Sequence, residues 1–311
     1  MRFYSQADLI QALPYGLLTR ELPNLLRTKT DVPQRHVHIL HQSDEPDASL
    51  LLMPAWGKRG GMGGVKIVNV TPGNTARNLP CVTASYLLFD ELTGEHKALL
   101  DGGELTARRT AAVAAVAADR LTAKDVGSLL LVGSGRIARE LAFAYRAIRP
   151  IESVQVFSPT EANAQKLVHA LNAAGFKAAV CTNLEASAKA ADIIACATLS
   201  NLPLIKGEWL RAGQHVALIG GYLPDMREAD DEAIKRAQIW VDTYAAMSEA
   251  GDLVGPLSHG IVQFDDIRGT LSDLCAVTQI DGVDSAITLF KSVGDAAQDL
   301  AAATLAVSAS E

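Results

Sequence analysis

Apolar residues recur along this chain in two rhythms. Over the first 30 residues the spacing is helical. Ser5 can cap a helix running through Leu9 and Leu13, which Pro14 disturbs, and Leu17, Leu18, Leu22, Leu25 and Leu26 form a second stripe. From Arg35 the pattern shortens to strands: HVHIL, SLLLMPAW, GVKIVNV, TASYLLFD and HKALL. Gly60-Gly61, Pro72-Gly73-Asn74 and Asp101-Gly102-Gly103 supply the turns between them. The expectation is an antiparallel meander of about five strands outside any nucleotide domain. Leu105 to Leu121 then reads as one alanine-rich helix, with small residues on several faces for close packing against a helix or a subunit.

Beyond Gly127 the two rhythms alternate. The apolar run Leu129 to Val132 suits a buried parallel strand, Ile137, Leu141, Ala144 and Ile148 repeat at helical spacing, and Val154 to Phe157 is a second strand. Helices over 161–174, 184–190 and 230–237 are expected between the strands 178–181, DIIACAT, HVALIGG and IWVD, the last closing the sheet. The tail ITLFKSVGDAAQDLAAATLAV reads as a strand followed by a helix that returns to the first domain. This is an α/β chain: a Rossmann-type, doubly wound parallel sheet plus a smaller α+β domain. The expected division is 1–115 with 292–311 for the smaller domain and 116–291 for the dinucleotide domain.

The turn after the Leu129–Val132 strand is Gly133, Ser134, Gly135, Arg136, Ile137 and Ala138, a G-x-G-x-x-A sequence. Between a strand and a helix such glycines let the backbone approach a pyrophosphate, and the helix N-terminus offers free N–H groups and the positive end of its dipole. At the tip of the next strand an acid would accept from the ribose 2′-OH of NAD. The chain instead reads Ser158-Pro159-Thr160, with Glu161 close by and no arginine at the tip. Ser158 and Thr160 could donate to a 2′-phosphate, which favours NADPH while leaving NADH open, or both could cap the following helix.

Composition narrows the partners. A net charge of −7 argues against nucleic acid and anionic membranes, and no apolar run approaches membrane-spanning length. The first residues, MRFYSQADLI, lack the basic and apolar regions of a secretory leader, so a cytoplasmic protein is expected. Cys81, Cys181, Cys196 and Cys275 are scattered, and none of the seven histidines has ligand spacing, so no metal is expected. No G-x-S-x-G, H-E-x-x-H or P-loop is present.

Four cations remain to be explained. Lys66 interrupts the apolar strand GVKIVNV: it either snorkels to solvent or has a chemical role. Arg35, Arg108 and Arg109 could grip a carboxylate bidentately, although Arg108 and Arg109 point in different directions on their helix.

Taken together, MPAW with GVKIVNVTPGN, LFDELTGEHKALLDGGELTARRTAA, VGSGRIA, GGYLPDMREADDEAI, IWVD and ITLFKSVGDAAQDLA resemble the ornithine cyclodeaminase/mu-crystallin family from about residue 35 to 303. The resemblance implies a substrate and dimerisation domain, completed by the C-terminal helix, beside a Rossmann domain, and hence a homodimer. It implies that Lys66, Arg109 and Arg35 bind the carboxylate of an amino or imino acid. Thr110 would stand near the cofactor phosphates and Thr198 would border the dinucleotide. Two departures matter. Cyclodeaminases carry an aspartate after the GG where this chain has Tyr222, and a glutamate just before MP, where this chain has Leu51 and Leu52. The PDMREADDE segment looks more like the reductase branch, which implies NAD(P)H-dependent reduction of Δ1-pyrroline-2-carboxylate or its six-membered homologue to L-proline or L-pipecolate. A cyclodeaminase, an alanine dehydrogenase-type enzyme and an NADPH-dependent binding protein are the alternatives.

Overall fold

Ser5 opens the first helix with a reciprocal cap: its hydroxyl accepts from Asp8 N and its own N–H donates to the Asp8 carboxylate. That helix, α1 (Gln6–Ala12), ends before Pro14, which starts α2 (Tyr15–Leu26) with its fixed φ at the N-cap. Leu9, Leu13, Leu18 and Leu22 are wholly buried. The computed structural model describes residues 1–57 and 61–309, so Gly60 of the Gly60-Gly61 turn and the last two residues lie outside the described residues. The chain forms two compact units, Met1–Arg109 with the C-terminal stretch from Asp295, and Thr110–Gly294.

The first unit contains a sheet of seven strands: β1 (Arg2–Tyr4), β2 (Thr30–Asp31), β3 (His36–Leu40), β4 (Ala48–Gly57), β5 (Met62–Val70), β6 (Val82–Asp90) and β7 (His96–Asp101). β3 to β7 form the expected antiparallel meander. The sheet is larger than the pattern suggested, because β1 adds in parallel to β7 and β2 pairs with the far end of β4. Both added strands are too short to show a period of two.

Two rows of paired residues define the faces of this sheet. Met53, Lys66, Tyr86, Leu100 and Tyr4 stand side by side and are all buried. The C-terminal helix Ala296–Ser308 packs against β4, β5 and β6. The adjacent row, Pro54, Val65, Leu87, Leu99 and Phe3, points to the opposite face, where Phe3 is 63% exposed.

The helix α3 (Gly102–Leu121) carries the chain into the second unit. There, eight parallel strands form one sheet: β8 (Ser128–Val132), β9 (Ser153–Phe157), β10 (Lys177–Val180), β11 (Ile193–Cys196), β12 (His215–Leu218), β13 (Ala237–Val241), β14 (Ile267–Thr270) and β15 (Ile287–Lys291). Seven helices complete this unit: α4 (Arg136–Arg146), α5 (Glu161–Ala173), α6 (Leu184–Ala190), α7 (Asp231–Arg236), α8 (Ala246–Glu249), α9 (Gly251–Ser258) and α10 (Leu271–Cys275). The strand order is β10-β9-β8-β11-β12-β15-β13-β14, a doubly wound arrangement that reverses between β8 and β11.

The IWVD strand does not close this sheet. β15 inserts between β12 and β13, and β14 forms the edge. β15 is apolar enough to be buried on both faces, as an inner parallel strand must be. β14 reads IRGT, whose arginine and glycine hide it among turn signals. Among the described residues, no helix is long and apolar enough to cross a membrane.

Candidate functional site

In the first unit two of the four cations singled out by the sequence, Lys66 and Arg109, converge on one carboxylate. Lys66 Nζ donates to Asp299 Oδ2 at 2.6 Å, and Arg109 Nε donates to Asp299 Oδ1 at 2.7 Å. Arg109 Nη1 also donates to Gln298 Oε1 at 2.8 Å. Asp299 is wholly buried and Lys66 is 4% exposed, so the lysine does not snorkel. β5 aims Lys66 at the helix-covered face, α3 supplies Arg109, and the C-terminal helix brings Gln298 and Asp299. That helix starts at Asp295, whose side chain caps Ala297 N.

Burial alone would raise the Asp299 carboxyl, but the Arg109 and Lys66 charges outweigh it and hold it below the ordinary carboxylate value. Burial, with the neighbouring Arg109 and Arg35 charges, pushes the Lys66 ammonium below its ordinary value against the pull of Asp299. Arg35, half-buried just before β3, is therefore within electrostatic reach of the group. Lys66 and Arg109 are two cations on one resident carboxylate, a positive balance that suits an anionic ligand. Lysine has three donors and arginine five. Arg109 Nη2 has no partner among the described residues, so donor capacity remains.

Arg108 is placed differently. It donates to the Leu13 carbonyl at 2.8 Å, approaches Glu104 and lies over the Tyr15 ring. It binds α2 and the preceding turn to α3 and has no place in the Lys66 group.

In the second unit the glycine-rich turn sits at the C-terminal edge of the sheet, at the switch point. Gly133 has φ +118°, and a Cβ there would lie 2.5 Å from the Ala197 carbonyl oxygen. Its N–H donates to Phe157 O, so the ends of β8, β9 and β11 meet here. Gly135 is the N-cap of α4 with no side-chain cap, and a Cβ at Gly135 would meet nothing within 4 Å. The first turn of α4, Arg136 and Ile137 included, thus presents uncapped N–H groups beside open space, which fits a pyrophosphate.

Ser134 Oγ donates to Ser158 Oγ at 3.0 Å, joining the turn to the tip of β9. Thr160 is exposed and is the N-cap of α5 by position only, since its side chain makes no capping bond. The simple capping reading of these two hydroxyls is therefore not what the structure contains. Thr110, half-buried, follows Arg109 on α3.

Thr198 leads to a group the sequence did not disclose. Its N–H and hydroxyl both donate to Glu228 Oε1, at 2.7 and 2.8 Å, and Gly220 N donates to Glu228 Oε2 at 2.8 Å. Asp252 accepts from the N–H groups of Glu228 and Ala229, and its other oxygen accepts from Lys291 Nζ at 3.0 Å. Burial raises the Glu228 carboxyl above its ordinary value, with Lys291 opposing and Asp252 adding to the shift. Carboxylates therefore lie behind Gly220-Gly221, but protein donors occupy them. Tyr222 is 42% exposed, and Leu51 and Leu52 are half-buried on β4. Glu228, Asp252, Lys291 and Asp299 become visible only through pairings across the fold.

The chain matches the ornithine cyclodeaminase/mu-crystallin family over residues 20–309. It is 40% identical over 319 aligned residues to an uncharacterized protein of Schizosaccharomyces pombe, covering 98% of this chain and 96% of that protein. It is 35% identical over 312 aligned residues to a Δ1-pyrroline-2-carboxylate reductase of Colwellia psychrerythraea, covering 97% of each chain. Its fold superposes with a TM-score of 0.91 and 29% identity on the Thermococcus litoralis Δ1-pyrroline-2-carboxylate reductase in complex with NADH and L-proline, covering 100% of this chain and 97% of that one.

The Lys66–Asp299–Arg109 group links stability to pH. A carboxyl held below its unfolded value contributes stability above that value, and the contribution is lost as pH falls through the folded one. Asp299→Asn is expected to cost about 3–5 kcal/mol at neutral pH, because two buried cations lose their counter-charge. The gap from the parent should narrow below about pH 4. Urea denaturation of both proteins at neutral pH and at about pH 3 checks this. Parallel losses at both would mean that Asp299 is not the ionised partner.

Proposed function

This chain belongs to the ornithine cyclodeaminase/mu-crystallin family, and we propose that it reduces a cyclic imino acid, Δ1-pyrroline-2-carboxylate or its six-membered homologue, with a nicotinamide cofactor to L-proline or L-pipecolate. The observation that carries this reading is the convergence of Lys66 and Arg109 on buried Asp299 with Arg35 in electrostatic reach. Arg109, Lys66 and Arg35 hold the substrate carboxylate through donors that Asp299 leaves unused. Asp299 fixes the two buried cations before substrate arrives, which lowers the ordering cost of binding. A cyclic imine is readily protonated and the iminium is the better hydride acceptor, so no strong protein acid is needed.

The cofactor-binding residues in this reading are Gly133, Ser134, Gly135, Arg136 and Ile137 at the pyrophosphate, with Thr110 near the phosphates and Thr198 bordering the dinucleotide. When bound, the nicotinamide supplies the hydride that reduces the C=N bond. In this reading Ser158 and Thr160, at and just beyond the tip of β9, take the ribose side of the cofactor, and no acid occupies that tip. This supports NADPH over NADH, although the Thermococcus litoralis relative was solved with NADH.

The protein is proposed to act as a homodimer. The face of the first sheet that carries Pro54, Val65, Leu87, Leu99 and Phe3 is apolar, and Trp56 beside it is 36% exposed. A contiguous apolar face of this kind marks an association surface. Sedimentation equilibrium should give twice the chain mass of 32.9 kDa, and a monomer at micromolar concentration would remove the dimer from the reading.

Cyclodeamination asks for more than reduction does. Oxidation of the amine, attack by the side-chain amine and loss of ammonia all need proton traffic through available carboxylates. Glu228 and Asp252 are committed to backbone N–H groups, Thr198 and Lys291. Incubation with reduced cofactor and a panel of cyclic imino acids should consume NAD(P)H, while ornithine with catalytic NAD should release no ammonia. Sustained ammonia and proline from ornithine would restore the cyclodeaminase reading; binding without turnover of any imine would indicate a binding protein.

The cofactor reading has its own test. NADPH should bind more tightly than NADH, and Ser158→Asp should reverse the order, since a carboxylate there accepts from a ribose hydroxyl and repels a 2′-phosphate. Titration of both cofactors against both proteins measures it. Equal affinities in the parent would refute the role given to Ser158.

A further inference from the structure

Beside Lys66 lies another polar atom that is unused among the described residues, the Tyr86 hydroxyl. Tyr86 stands directly opposite Lys66 in the β5–β6 ladder, on the same helix-covered face. The residue is wholly buried, and its Oη is a buried atom with no hydrogen-bond partner among the described residues. A second observation shows that its position is built in. The tip of the Tyr86 ring fills the place that a Cβ of Gly64 would take, with Oη as its nearest atom. Gly64 lies two residues before Lys66 and therefore on the same face. Glycine at 64 makes the room, and the phenol is placed next to the cation group.

Burying a hydroxyl without a partner is destabilising, because its hydrogen bonds to water are lost and not replaced. Phenylalanine would fill the same space without that cost, so packing does not explain the oxygen. We propose that the Tyr86 hydroxyl contacts the substrate, hydrogen-bonding the ring nitrogen of the bound imino acid, an inference that rests on the imine-reductase reading. The carboxylate already has Lys66, Arg109 and Arg35, which leaves the nitrogen as the polar atom of the substrate without a protein partner. Burial and the nearby Asp299 charge raise the phenol well above its ordinary value, so it is a neutral hydroxyl at working pH. Such a group donates to a neutral imine nitrogen or accepts from the N–H of an iminium. As hydride reaches C2 and the nicotinamide is oxidised, the C=N π pair becomes the nitrogen lone pair. The nitrogen already carries its proton, so Tyr86 orients the ring and neither gains nor loses one.

Tyr86→Phe removes only the oxygen. The variant and the parent are compared for kcat and KM with the cyclic imine, KM for the cofactor, thermal midpoint, and calorimetric Kd for L-proline with oxidised cofactor present. The expected result is a fall of about ten-fold or more in kcat/KM for the imine and a matching rise in Kd, the scale for losing a hydrogen bond to a polar substrate atom. The cofactor KM should stay near the parental value, and the thermal midpoint should hold or rise, because no donor is left stranded. Unchanged kcat/KM and Kd would overturn the proposal, and so would a lowered midpoint accompanied by equal damage to cofactor and imine kinetics. A parent that turns over no cyclic imine fails the reductase reading separately, and the pair of L-proline affinities then still decides the role of Tyr86.

Discussion

A single wholly buried carboxylate sets the terms for the first unit. Asp299 remains ionised without water because Lys66 and Arg109 stand on its two oxygens. The dependence runs both ways. Each cation would be costly to bury alone, and truncating any one member strands the others. β5, α3 and the C-terminal helix are thus tied at one point by groups 233 and 190 residues apart in sequence. Replacing such a group with apolar residues of similar volume is often neutral or stabilising, so its presence is weak evidence for stability and better evidence for use. The structural anchor of this unit and its proposed anion site are one network.

How far the sequence disclosed this depends on the range of each interaction. The strands of the meander, the glycine turn and α4 were legible because their causes are local: alternation, turn residues, and a helix period after Gly135. Lys66 was legible as an anomaly within GVKIVNV, since a cation on an apolar strand stands out. Asp299 was not, because in the first turn of an alanine-rich helix an aspartate reads as a solvated residue favoured by the helix dipole. The insertion of β15 between β12 and β13 is likewise a long-range fact, since nothing within ITLFK specifies its neighbours. β14 failed for the opposite reason: its local chemistry, Arg268 and Gly269, points to a turn, and pairing with β13 overrides it.

The second unit uses buried charge in another way. Glu228 gathers the N–H groups of Thr198 and Gly220 and so joins the chain leaving β11 to the chain leaving β12. Gly220 has to be glycine here, because a Cβ would collide with the backbone of Thr198. Asp252 then holds the backbone of Glu228 and Ala229, and Lys291 at the end of β15 balances it. Each oxygen in this chain of contacts faces a backbone or side-chain donor. The result stiffens the carboxyl edge of the sheet, where doubly wound folds place their ligands, and leaves little acceptor capacity for a substrate.

Spare hydrogen-bonding capacity therefore separates the two kinds of buried charge, and adjacent residues on α3 illustrate it. Arg108 and Arg109 are both buried, and apart from the family resemblance their local pattern offers no reason to prefer one. Arg108 is engaged by a main-chain carbonyl, a carboxylate one turn earlier and an aromatic face, all of which belong to the packing of α2 on α3. Arg109 meets side chains of the C-terminal helix and keeps Nη2 without a partner among the described residues, in a group whose cations outnumber its carboxylate. A guanidinium with an unused donor, in a group where cations outnumber the carboxylate, suits the anion-binding role proposed for Arg109; one whose partners belong to its own packing interface is a fastener. Tyr86 meets the same criterion from the neutral side: its position is fixed by Gly64, and its hydroxyl still lacks a partner.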